Sequence, residues 1–172
     1  TSIIDWALGK GIGFSHVLSL GDMADVDFGD LLDFLALDPE TSAILLYAET
    51  ITHARKFMSA GRIASRAKPV IVVKGGRSAA GARAAASHTG ALAGADAVYD
   101  AVFRRAGMLR VGSLRSLFDA AETLASGLQV KGQRLMVLTN GGGLGVPAAD
   151  ALEQAGGQLS VLADDAIARL ND

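Results

Sequence analysis

Two apolar periods alternate along this chain, and that alternation restricts its fold more than any other feature. Short β-branched or leucine runs occur at Phe14–Leu20, Ala43–Tyr47, Val70–Val73, Leu135–Leu138 and Leu159–Leu162. Between most of them lie stretches with helical spacing. Leu31, Leu32, Phe34, Leu35 and Leu37 follow Asp27 and Asp30, and Asp38-Pro39 stops them. Thr52–Ala67 brings Ala54, Phe57, Met58 and Ile63 to roughly helical spacing. Ala97, Val98, Ala101, Val102 and Ala106 form a further stripe that Gly107 ends. Leu114, Leu117, Phe118, Ala121 and Leu124 form the next, with Ser113 placed to cap it. Strand-then-helix repetition predicts parallel strands joined by right-handed crossovers, hence an open α/β sheet. With 21 glycines, abundant alanine and only 5% aromatics, helices can pack close to such a sheet through tight turns.

At 172 residues the chain can bury a real core without staples. Half of it is hydrophobic, 20% is charged and the net charge is -2, a globular composition. The near-neutral balance argues against a dedicated nucleic-acid binder. No apolar run approaches the length of a membrane span, and no basic start leads into a signal core. Without cysteine there is no disulfide, thiolate metal site or thiol nucleophile, and a reducing cytoplasm is the default compartment. Gly127–Gln133 is polar and glycine-bearing, and a fresh strand follows it. We therefore expect one domain over residues 1–127 and the opening βα units of a second over residues 128–172. Two βα units cannot enclose a core alone, so residues 134–172 either open a second domain or complete a sheet with another chain. Thr1 enters directly into a helical stretch, so a fragment of a longer polypeptide is expected.

Four features can carry chemistry. His88 stands among small residues, in Ala84-Ala85-Ala86-Ser87-His88-Thr89-Gly90-Ala91-Leu92-Ala93-Gly94. Small neighbours let a ring reach out and let an anion approach the backbone. Such an imidazole can be a general base, a metal ligand or a covalent phosphoryl carrier, and an ordinary loop histidine fits the local sequence equally well. No second histidine or cysteine lies near it at ligand spacing, so no metal site is expected. Thr139-Asn140-Gly141-Gly142-Gly143-Leu144-Gly145-Val146 follows a strand and opens a helix, where free backbone N–H groups favour phosphate. It lacks the Lys-Ser/Thr pair of a Walker loop, and a plain βα turn fits it too.

Glu49 ends the run Ala43–Ala48, at the strand end where open α/β sheets place their sites. It can hold an imidazole in one tautomer, or serve only the helix that follows. Lys74-Gly75-Gly76-Arg77-Ser78 also follows a strand. Its charges can face an anion, but a solvated rim of Lys74, Arg77 and Arg83 is the favoured reading. Asp22, Asp25, Asp27 and Asp30 are read as helix caps rather than a metal cluster. His16, inside an apparent strand, and His53, at a helix start, are assigned structural or solvent-facing roles.

The string Ser87–Gly94, followed by Asp96-Ala97-Val98-Tyr99-Asp100-Ala101-Val102-Phe103 and Ala106-Gly107, resembles the phosphohistidine segment of nucleoside-diphosphate-forming acyl-CoA synthetases. These are relatives of succinyl-CoA synthetase. Gly21–Asp27, Asp38-Pro39-Glu40-Thr41 and Lys68–Arg77 resemble the preceding part of the same domain. Thr139–Gly143 with Gly145-Val146 and Ala148-Ala149-Asp150 resembles the opening of the next. The resemblance covers essentially the whole chain in the family's order.

It implies two flavodoxin-like domains, each an open parallel sheet with helices on both faces. It implies an ADP-forming ligase in which acyl-CoA and phosphate give acyl phosphate and CoA, the acyl phosphate charges a histidine, and phosphohistidine charges ADP. His88 matches the carrier and Glu49 the acid that pairs with it. Asn140, Gly141, Gly142 and Gly143, with Thr89 and Gly90, are assigned to phosphate. CoA, ADP or ATP and Mg2+ would be bound mostly by a CoA-binding domain and an ATP-grasp domain outside this chain, and a homo-oligomer is expected. Similar domains also occur fused to protein lysine acetyltransferases, where they resemble CoA-sensing regulatory modules. Ile4-Asp5-Trp6-Ala7 and Thr52–Phe57 fit that group as well, but His88 stands here with its whole flanking string, which favours chemistry.

Overall fold

The computed structural model describes residues 2–78, 80–81, 83, 95–127 and 131–171. The chain divides into two compact units, Thr1–Leu128 and Gln129–Asp172. Among the described residues no helix is long and apolar enough to cross a membrane.

The first unit is built on three parallel strands in the order β1 (Ile44–Ala48), β2 (Val70–Lys74) and β3 (Leu109–Val111). Ile44 pairs with Val70, and Val72 with Arg110. All five residues of β2 are buried, as a central parallel strand covered on both faces requires. One face carries α2 (Phe28–Leu37), α3 (Ala54–Ala67) and α4 (Asp96–Ala106), and the other carries α5 (Leu114–Ala125); α1 (Ser2–Leu8) precedes them. The period-2 pattern explains the split. Ile44, Leu46, Val70 and Val72 meet Leu32, Phe57 and Phe103, while Leu45, Ile71 and Val73 meet Leu117. Phe57 forms the middle of the larger core. Its ring stands edge-on to Phe28 at 6.4 Å and to Phe103 at 6.1 Å. Ala60, Gly61 and Ala64 let α3 approach closely: a Cβ on Gly61 would fall 2.4 Å from Met108 Cε.

Local signals set the helix ends. Asp27 caps α2, accepting from Gly29 N at 2.7 Å and Asp30 N at 3.3 Å, while Asp30 accepts from Asp27 N at 3.0 Å. Ser113 caps α5 by accepting from Ser116 N at 3.1 Å. Gly107, at φ +78°, ends α4 in the left-handed region that favours glycine.

One expectation fails. Phe14–Leu20 forms no strand and lies in an irregular segment between α1 and α2. A strand needs a ladder, and here side chains make the attachments instead. Ser15 Oγ bonds Thr41 Oγ1 at 2.8 Å, His16 Nε2 bonds Asp38 Oδ2 at 3.2 Å, and Phe14 stands edge-on to Phe118 at 6.2 Å. Val17 and Leu18 stay exposed.

The second unit has two parallel strands, β4 (Arg134–Leu135) and β5 (Gln158–Leu159), with α6 (Gly142–Gln154) between them and α7 (Asp164–Asn171) after them. Both strands are shorter than their apolar runs, because pairing stops after two residues. Leu138 is 91% exposed and Val161 95%. No residue of α6 is buried, and Pro147 lies inside it.

Candidate functional site

The carboxyl ends of β1 and β2 bring several polar side chains together. Glu49 directly follows β1 and is half-buried. Tyr47 Oη donates to Glu49 Oε1 at 3.4 Å. Burial raises the pKa of the Tyr47 hydroxyl above the usual tyrosine range, and the Glu49 charge adds to the rise. Gly75, directly after β2, donates its N–H to Ala48 O at 2.9 Å. A Cβ at Gly75 would lie 2.8 Å from Tyr47 Oη and 3.3 Å from Glu49 Cγ, so the bare backbone is what lets the acid sit there.

Lys74 corrects the sequence reading of a solvated rim. It is the last residue of β2 and only 3% exposed. Its Nζ donates to Gly75 O and stands 4.5 Å from the centre of the Tyr99 ring. Burial pushes its pKa below the usual lysine range; Asp96 and Glu49 pull it back and Arg110 lowers it further. Arg77, in contrast, is half-exposed, with Nε 3.7 Å from Asp96 Oδ2.

Asp96 opens α4 and also meets Arg110 of β3, whose other guanidinium arm reaches Asp100 Oδ1 at 3.5 Å. The Arg110 hydrogen bond holds Asp96 below the usual carboxylate range against its partial burial. Arg110 also covers Phe103, 5.9 Å from guanidinium carbon to ring centre. Sequence reasoning passed over Tyr99, Arg110 and Asp96 as functional residues. The available signal was a lone arginine in an apolar strand with Asp96 and Asp100 one helical turn apart, a spacing that aims two carboxylates at one cation.

His88, Thr89 and Gly90 lie outside the described residues. The described chain on either side of residues 84–94 is joined by contacts: Lys74, at the end of β2, stands against Tyr99 of α4. The Arg77–Asp96 pair links the two sides.

In the second unit Gly141 is the N-cap of α6 and has no side-chain cap bond. Thr139 Oγ1 accepts from Gly141 N at 3.2 Å and donates to Gly141 O at 2.8 Å. Among the described residues nothing lies within 4 Å of the Cβ positions of Gly141, Gly142 or Gly143, and none of the described side chains plugs this turn.

The other histidines keep the structural places expected of them, although His16 is in irregular chain rather than a strand. His53 N-caps α3, and its Nδ1 meets buried Asp27 Oδ2 at 2.8 Å while the ring stays mostly exposed. Lys56 joins the same cluster, 3.3 Å from Asp27 and 2.5 Å from Asp30. Of the four aspartates, Asp27 and Asp30 form the capping box, whereas Asp22 and Asp25 precede it in irregular chain.

Residues 1–124 match the family described as succinyl-CoA ligase like flavodoxin domain. The alpha subunit of acetate–CoA ligase [ADP-forming] I from Pyrococcus furiosus is 45% identical over 155 residues, which are 90% of this chain and 34% of that subunit. Acetate–CoA ligase [ADP-forming] I from Archaeoglobus fulgidus is 43% identical over 99% of this chain and 25% of its own length. Among solved structures, the dinucleotide-forming acetyl-coenzyme A synthetase 1 of Ca. Korarchaeum cryptofilum, in complex with phosphate and ADP, superposes with a TM-score of 0.84. It is 42% identical over 92% of this chain and 35% of that one. The chain thus spans between a quarter and about a third of these relatives.

Proposed function

This chain belongs to the succinyl-CoA ligase like flavodoxin domain family, and on that premise we propose that it is the phosphohistidine-bearing part of an ADP-forming acyl-CoA synthetase. In the full-length protein, phosphate attacks the acyl carbon of acyl-CoA, giving acyl phosphate and free CoA. The His88 ring attacks phosphorus, the P–O bond to the acyl group breaks, and the carboxylate leaves. ADP then takes the phosphoryl group, giving ATP and free imidazole. Covalent transfer divides one difficult step into two easier ones. The relatives' names favour acetate or a similar small acid as the product.

One observation carries the assignment of roles. Glu49 sits at the carboxyl end of β1, braced by Tyr47 and Gly75, and from the end of β2 beside it Lys74 and Arg77 reach Tyr99 and Asp96, which follow residues 84–94. There Glu49 accepts the N–H of the carrier ring, holds one tautomer and offsets the charge the ring gains. Thr89 and Gly90 are assigned to phosphate beside the carrier; separately, in the second unit, Asn140 and the open turn Gly141–Gly143 offer backbone N–H groups suited to an anion. Residues 128–172 are the opening of a second flavodoxin-like domain. CoA, ADP or ATP and Mg2+ are held largely by CoA-binding and ATP-grasp parts of the full-length protein, which works in the cytoplasm as a homo-oligomer.

Full-length protein incubated with γ-labelled ATP tests this. An acid-labile, base-stable label that disappears in His88→Ala is the expected result. A wild type that takes no label, or a His88→Ala variant that keeps it, ends the reading. An unlabelled full-length protein that carries an acetyltransferase domain would establish the regulatory alternative.

A further inference from the structure

Among the described residues two charged side chains are buried, Asp27 and Lys74. Asp27 has backbone amides, His53 and Lys56 around it. Lys74 makes no ion pair among the described residues; a carbonyl and an aromatic face hold its ammonium. Burying a charge on such partners is costly, and a leucine or methionine at the end of an otherwise apolar strand would avoid that cost. The side chain's contacts indicate what the charge does. Nζ grips the carbonyl of Gly75, and the Gly75 backbone is the surface on which Tyr47 and Glu49 rest. On its other side Nζ faces Tyr99 of α4, the helix that follows the His88 segment.

We propose that Lys74 is a positioning residue for phosphoryl transfer: its buried ammonium clamps the Gly75 peptide beneath Glu49 and ties that peptide to the Tyr99 face of α4. The inference rests on the phosphohistidine reading above and adds to it the residue that keeps the supporting acid aligned. A charge-assisted bond to a carbonyl and a cation–π contact both need the protonated amine. The charged groups facing it are Asp96 of α4, Arg110 of β3 and Glu49 after β1, with the phenol of Tyr99 beside them. Because burial lowers its pKa, the clamp opens at a pH below the usual lysine range.

The test is the initial rate of His88 labelling by γ-labelled ATP in full-length protein, measured from neutral pH upward. Wild type should lose rate on the alkaline side as Lys74 deprotonates. Lys74→Met, nearly isosteric and neutral, should label about tenfold to a hundredfold more slowly at neutral pH and lack that alkaline fall. Its KM for ATP should stay unchanged. A folded Lys74→Met protein that labels at the wild-type rate, or that keeps the wild-type alkaline fall, overturns the inference. If Lys74→Met does not fold, Tyr99→Leu decides: with less support for the ammonium, the alkaline fall should move to lower pH, and an unmoved profile overturns the inference. The two readings fail differently. An unlabelled wild type removes the phosphohistidine and this clamp together, whereas a labelled wild type with an indifferent Lys74→Met removes only the clamp.

Discussion

The two units are built from the same βα grammar, yet they bury their apolar residues very differently. In the first unit, β2 is covered on both faces and Phe57 and Phe103 are sealed between sheet and helices. In the second, β4 and β5 pair over two residues, and α6 buries none of its own. The contrast teaches that a strand's apolar run is only an offer. Neighbouring strands and helices on both sides turn it into a core, and among the described residues Val70–Val73 has them where Leu135–Leu138 and Leu159–Leu162 do not.

Substitutions in the two units should break that symmetry of pattern. Phe103→Ala should cost the first unit about 3–5 kcal/mol, through lost burial and an unfilled cavity, whereas Leu138→Ala should change stability by less than about 0.5 kcal/mol. Denaturant unfolding, read by amide exchange separately in each unit, measures both. A Leu138→Ala effect as large as that of Phe103→Ala would contradict this contrast.

Asp27 sharpens the comparison next, because it joins α2 to α3 through His53 and Lys56. Burial raises its pKa, but hydrogen bonds from Gly29, Asp30, Lys56 and His53 together outweigh this and hold the carboxyl below its usual 3.8. A lowered carboxylate adds stability above the unfolded-state pKa and loses it as pH falls through the folded one. The Asp27→Ala variant should therefore be about 1–2 kcal/mol less stable near neutrality, with the gap closing below about pH 4. Unfolding curves at several pH values test this; a gap that stays constant into acid contradicts it.

A smaller loss than that at Asp27 is expected from caps. α5 starts on a serine side-chain cap, whereas α6 starts on a bare glycine. Ser113→Ala should cost the first unit about 1 kcal/mol, visible as a lower unfolding midpoint. No change would mean that packing of Leu117 and Phe118 alone sets that helix.

How far these features could be read from residues follows the range of the forces involved. Asp27 and Ser113 act within one helical turn, and both caps are visible in sequence. Helices α2 to α5 are likewise plain, because their period, stops and start residues are close together in the chain. The strand expected at Phe14–Leu20 failed because alternation says nothing about whether a partner edge stands alongside. Lys74 was misread for a related reason. Its burial depends on Tyr99, far along the chain, and a lysine beside two glycines looks like surface until that helix is in place. The place of Glu49 directly after β1 was legible, since the end of a β-run in an open sheet is fixed by topology. The role of His88 came from resemblance, and its position lies outside the described residues.

Gly75 carries a consequence that reaches past its own contacts. A Cβ there would fall 2.8 Å from the Tyr47 hydroxyl and 3.3 Å from Glu49 Cγ, so a larger residue first displaces the hydroxyl that donates to the acid. The surrounding strands would still have their partners. A chain with a replacement there would keep its strand pairing while its Glu49 carboxylate loses the Tyr47 hydrogen bond that braces it. Constraint on position 75 therefore comes from aim rather than architecture.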